Sequence, residues 1–156
     1  EGGLFMARAT YIQPTLNDWL EKFHFFTDVK VRYCETDMSG HVNNTSYFSY
    51  FEHVRAEYLD SIRFYSSPVT IVTADLWCHY HSEAHFLDTL KVGARIARLG
   101  NKSFDMEYCI IAADNQLIAT ATGSLVVIDK ETKRSTTLPD DIRNAILERE
   151  GLHVVI

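Results

Sequence analysis

The chain has 156 residues, a formal net charge of −6, 46% hydrophobic and 23% charged residues. That size fits one domain around one core, the hydrophobic share excludes wholesale disorder, and no apolar run approaches the ~20 residues that span a bilayer. The acidic balance speaks against nucleic acid, which selects a basic patch, but leaves room for a small anionic ligand held by a few local cations.

Three cysteines, Cys34, Cys78 and Cys109, are odd in number and far apart in sequence. A reduced, cytoplasmic setting is expected from them. The start EGGLFMARATYIQP lacks a basic stretch followed by a long apolar one, so no signal peptide is expected. Glu1–Phe5 reads as a cloning remnant before a natural start at Met6. Residues 1–14 are expected to be remnant and tail, and 15–156 a single domain.

Thr15, just after Pro14, suits a helix N-cap. Leu16, Trp19, Leu20 and Phe23 then share one face. FFTDVKVRY (25–33) alternates apolar and polar and predicts a strand. CETDMSGHVNN (34–44) is crowded with small and turn-forming residues and predicts a loop ending in cap chemistry. From about Asn44 to Arg63 the spacing becomes helical, with Tyr47, Phe51, Val54, Tyr58 and Ile62 at steps of three or four. Phe48, Tyr50 and Leu59 widen the stripe, as on a helix contacted from several sides. Val69–His81 predicts one strand. Leu90–Leu99, Phe104–Ala113 and Leu117–Ile128 predict three more, joined by turns at Gly100–Lys102 and Asp114–Asn115. Links this short favour antiparallel pairing. Pro139-Asp140-Asp141 opens a last helix, with Pro near its first position and Gly151 at its end. The fold class is therefore α+β, with one long helix available to a curved sheet.

Asp37 lies in the loop before the long helix. The first N–H groups of that helix lack intrahelical partners and carry partial positive charge. A carboxylate beside such amides is what acyl-transfer hydrolysis requires: one group acts on water or carbonyl, the other holds the oxyanion. An Asp before a helix equally serves as a turn or cap residue, and spacing alone leaves both open. Asn43 and Asn44 can supply the cap instead. His41 adjoins this loop and could orient it, contact a ligand or bond its own backbone. His79 and His81 alternate on one strand with His85 nearby, but two histidines need a third ligand to hold a metal. No zinc-ribbon spacing or glycine-rich phosphate loop is present, so no metal or other cofactor is expected. Lys102 lies in a turn and becomes relevant where an anionic ligand needs anchoring.

VRYCETDMSGHVNNTSYFSYFEHVRAEYL (31–59) resembles the opening block of hotdog-fold acyl-CoA thioesterases of the 4-hydroxybenzoyl-CoA thioesterase type. HSEAHFLDTLKVGARIARLGNKSFDMEY (81–108) and GSLVVIDKETKRSTTLPDDIRNAI (123–146) are similar to that family's later strands and closing helix, in the same order. The resemblance runs from about Asp28 to Ile146. It implies a hotdog fold, a curved antiparallel sheet wrapped around the long helix. It implies that Asp37 is the catalytic carboxylate, as general base or nucleophile. The backbone N–H of Asn44 falls where the family polarises the thioester carbonyl. Gly40, His41, Asn43 and Tyr47 fall beside the substrate, and Lys102 where members contact the CoA phosphates. Gly100 and Asn101 stand where members carry further basic residues, a departure that leaves acyl-carrier protein open as a carrier beside acyl-CoA. The resemblance also implies an edge-to-edge homodimer or a homotetramer with sites at the interface. Two other functions remain: a non-catalytic acyl-CoA or acyl-carrier-protein binding module, and a hydratase or dehydratase, for which His41 is the nearby acid–base candidate.

Overall fold

The computed structural model describes residues 9–156. The expected cloning remnant Glu1–Phe5 and the start at Met6 lie outside the described residues. Thr15 caps the first helix, α1 (Leu16–Glu21), its Oγ1 accepting from the Asp18 N–H at 3.1 Å. Trp19 and Phe23 are buried with Ala9, Ile12 and Cys109, and Leu16 and Leu20 flank them. Residues from the expected tail thus take part in a small second core.

β1 (Phe25–Lys30) alternates in burial as its pattern requires. It stops three residues before the expected end. Arg32 caps a single 3-10 turn at Tyr33–Glu35, held by Glu35 carboxylate contacts to the Arg32 N–H and guanidinium. The long helix, α2, spans Ser46–Ser61 instead of Asn44–Arg63. The Asn43 carbonyl accepts from Ser46 N–H and fixes the start, and Arg63 turns left-handed at φ 60° just beyond the end. At ~1.5 Å per residue the helix is about 24 Å long. It buries Tyr47, Tyr50, Phe51, Val54, Tyr58 and Leu59. Full burial of such side chains is worth roughly 1.5–3 kcal/mol each, so this face holds the helix in place.

The expected single strand Val69–His81 is two: β2 (Val69–Thr73) and β3 (Trp77–Tyr80). The break follows from Gly123 in the facing strand. A Cβ there would lie 2.3 Å from the Asp75 carbonyl oxygen, so residues 74–76 press against a bare backbone. The Asp75 carboxylate accepts from the Ser124 N–H and Ala74 N–H bonds the Ser124 carbonyl, pinning the bend. β4 (Thr89–Leu99), β5 (Ser103–Ala112) and β6 (Leu117–Asp129) follow as expected.

The six strands pair antiparallel, in the order β1-β4-β5-β6, with β2 and β3 end to end along the far side of β6. Leu90, Val92, Ala94 and Ile96 of β4 face the core with 0% exposure. They meet the apolar face of α2 in one cluster. The closing helix, α3 (Asp140–Glu150), has Pro139 at its N-cap rather than inside its first turn, and Gly151 at its end with φ 58°. A curved antiparallel sheet around one buried helix is the hotdog arrangement of the α+β class.

Candidate active site

The loop between β1 and α2 is a miniature hairpin. Thr36 and Val42 form an antiparallel bridge, the Asp37 N–H donates to the His41 carbonyl at 2.8 Å, and the Gly40 N–H donates to the Asp37 carbonyl at 3.2 Å. Gly40 has φ 79°, the left-handed region that favours glycine. Asp37 Oδ1 accepts from the Ser39 and His41 N–H groups at 2.8 and 3.1 Å. This is the turn role an aspartate takes before a helix. Asp37 Oδ2 has no hydrogen-bond partner among the described residues, and the side chain is exposed. One oxygen is a tether and the other is available.

The loop is anchored to α2 by Glu35. Its carbonyl accepts from the Asn43 N–H at 2.8 Å and the Ser46 hydroxyl at 3.2 Å, and its carboxylate from the Tyr50 hydroxyl at 2.7 Å. Burial alone would raise the Glu35 carboxyl, but hydrogen bonds from Arg32 and Tyr50 outweigh it and hold the group below its ordinary range.

Thr45 occupies the N-cap of α2 without a side-chain hydrogen bond to the helix. The Asn44 N–H has no acceptor among the described residues. The Asn44 carbonyl is held by the Tyr80 hydroxyl at 2.9 Å. Asn43 Oδ1 lies 3.3 Å from the Thr45 hydroxyl and caps only loosely.

A cavity of about 350 Å³ opens here, lined by Asp37, His41, Val42, Asn43, Asn44, Tyr47, Tyr80, Ser82 and Glu83. Asp37, His41, Asn43, Asn44 and Tyr47 were expected from the sequence, and the structure brings them together. Gly40 shapes the loop without lining the cavity. Tyr47 is 3% exposed and its hydroxyl accepts from the Ala84 N–H at 3.3 Å, so it forms wall more than reactive group. Lys102 sits on the β4–β5 turn, where its carbonyl accepts from Val127 N–H, and is not among the lining residues. Glu52 is exposed on α2, also away from the cavity.

Tyr80, Ser82 and Glu83 were missed by sequence reasoning. They follow or end β3, and only the chain's return past the loop makes them neighbours. The histidines also group differently from their spacing. His79 Nδ1 pairs with the Tyr11 hydroxyl and His81 Nε2 with the Thr120 hydroxyl, both at 2.9 Å. Burial lowers the affinity of each for a proton, and for His81 the neighbouring His79 adds to the effect. His85 leaves that pair and lies against His41, with ring centroids 4.9 Å apart.

Residues 31–146 match the family model described as Thioesterase-like superfamily. The chain is 28% identical over 144 residues to the protein YsmA of Bacillus subtilis, covering 91% of this chain and 98% of that one. It is 26% identical over 125 residues to the long-chain acyl-CoA thioesterase FadM of Escherichia coli, covering 77% and 95%. Among solved structures, a thioesterase from Thermus thermophilus complexed with coenzyme A and Zn superposes with a TM-score of 0.75 and 32% identity, over 84% of this chain and 98% of that one.

Proposed function

From the premise that the chain belongs to the thioesterase-like superfamily, we propose that it hydrolyses acyl-CoA thioesters to free acid and CoA at the cavity beside Asp37. The observation that carries this reading is a pairing: Asp37 and Asn44 line one cavity, and among the described residues one Asp37 carboxylate oxygen and the Asn44 N–H have no hydrogen-bond partner. FadM, a long-chain acyl-CoA thioesterase, and the CoA-bound Thermus thermophilus thioesterase support the substrate class.

The thioester carbonyl oxygen accepts from the Asn44 N–H, which stabilises the charge that develops during addition. Asp37, fixed through Oδ1, uses Oδ2 to take a proton from water attacking the carbonyl carbon. In the covalent variant Oδ2 itself attacks, giving a mixed anhydride that water then opens. The sulfur leaves as thiolate, tolerable because thiol pKa is ≈ 8.5, so no strong general acid is needed. Tyr80 holds the Asn44 carbonyl, in the peptide that follows this N–H, and so steadies the chain where α2 begins.

Lys102 anchors the CoA phosphates in this reading. Residues 15–156 act as one domain, and a second copy pairs along the outer edge of β3, where Trp77 is 62% exposed. Among the described residues no helix is long and apolar enough to cross a membrane. The free Cys34, Cys78 and Cys109 support a reducing, cytoplasmic setting. The test is thiol release from a panel of short, long and aromatic acyl-CoAs. Turnover of at least one class is expected, and tight binding of every class without thiol release would leave only a binding module.

A further inference from the structure

His41, Glu83 and His85 are brought together by a short backbone ladder. Val42 N–H donates to the Ala84 carbonyl at 2.8 Å, and Phe86 N–H to the Gly40 carbonyl at 3.0 Å. These two bonds flank the His41–His85 bridge and make it a non-hydrogen-bonded antiparallel pair. In such pairs the Cα atoms lie about 4.5 Å apart and the side chains leave the same face. Glu83, two residues before His85 in the extended segment, projects to that face as well. His41 Nδ1 lies 3.3 Å from Glu83 Oε2, and one donor atom from each of the three residues lies within 4.8 Å of the others.

Two imidazole nitrogens and one carboxylate oxygen are the donor set that suits Zn²⁺ and its transition-metal neighbours over Ca²⁺ or Mg²⁺. Asp88 fixes the main chain at His85, its carboxylate accepting from the His85 N–H at 2.9 Å. His41 and Glu83 also line the Asp37 cavity, so the trio stands at its rim. Three protein ligands leave a coordination position for water or a ligand.

We propose that His41, Glu83 and His85 form a binding site for one divalent transition-metal ion, Zn²⁺ foremost, at the mouth of the cavity. The site is independent of the thioesterase reading, because its test contains no thioester. The whole chain, free of any histidine tag and stripped with chelator, is titrated calorimetrically with ZnCl2 at about pH 7.5. One ion per chain with micromolar or tighter affinity is expected. His85→Ala and Glu83→Gln are each expected to weaken binding at least tenfold with circular dichroism unchanged. His53→Ala is the control, because His53 pairs with Glu57 on α2, away from the trio, and it is expected to bind as the parent does. Absence of saturable one-to-one binding, or binding insensitive to both substitutions, overturns the proposal.

Discussion

Asp37→Asn separates the two roles the structure gives this side chain. Among the described residues Oδ1 accepts two loop hydrogen bonds and Oδ2 none. An amide keeps an oxygen in the Oδ1 position, so the turn survives and stability changes by less than about 0.5 kcal/mol. The chemistry changes far more. An amide nitrogen in place of Oδ2 neither takes a proton from water nor attacks a carbonyl. Positioned acid–base groups contribute typically ~10²–10⁴ in rate, so a loss of about 3–5 kcal/mol in transition-state stabilisation is expected. The drop belongs in kcat, with KM little altered. Asp37→Ala, by contrast, also leaves two N–H groups without their acceptor and costs about 1 kcal/mol for each bond lost. Thiol release measured beside urea unfolding distinguishes the two variants. Refutation is simple: a folded Asp37→Asn protein whose kcat stays within about threefold of the parent.

Gly123→Ala forces a Cβ to within 2.3 Å of the Asp75 carbonyl oxygen and 3.1 Å of the Leu76 Cα. Both are backbone, so the bend between β2 and β3 must shift, at a cost of about 1–3 kcal/mol in urea unfolding. An unchanged midpoint contradicts that packing. Acid sensitivity follows from His79 and His81, both held below the ordinary histidine value near 6.5 by burial. The unfolded chain protonates first on acidification, so their contribution is full above about pH 6.5 and is lost as pH falls through the lowered values. His81→Gln should therefore lose less stability than the parent between about pH 7.5 and 5.5, and identical slopes would count against the burial argument. Lys102→Ala is expected to raise KM for acyl-CoA by about fivefold, about 1 kcal/mol for one exposed contact, with kcat unchanged. Acyl-pantetheine, lacking the nucleotide phosphates, should be unaffected. Equal KM values for parent and variant on acyl-CoA remove Lys102 from the site.

The helices and central strands were legible in the sequence because their apolar residues recur at regular steps. Leu90, Val92, Ala94 and Ile96 alternate as one face of a strand must, and Tyr47 to Leu59 repeat at helical steps. The boundaries were less legible, since they depend on single long-range contacts. Residues 74–76 break a strand-like run only because Gly123 lets another backbone come close, and nothing local announces it. Asn44 reads as helical by its neighbours, yet the Asn43 carbonyl delays the helix to Ser46.

The near half of the site could be read from one contiguous motif, Asp37 to Tyr47. The far half could not, because Tyr80, Ser82 and Glu83 come from a segment more than thirty residues away. His41 and His85 offer the same lesson. Strand spacing grouped His85 with His79 and His81, but the Gly40–Val42 ladder claims it instead. Glu83 two residues before His85 was the available signal, an acid and an imidazole on one face of an extended chain.

The most direct test is a crystal structure of the protein with a non-hydrolysable acyl-CoA thioether ketone. The ketone oxygen is expected within hydrogen-bond distance of the Asn44 N–H, with Asp37 Oδ2 facing the carbonyl carbon. A ligand whose carbonyl lies away from Asn44, with Asp37 pointing elsewhere, contradicts the account.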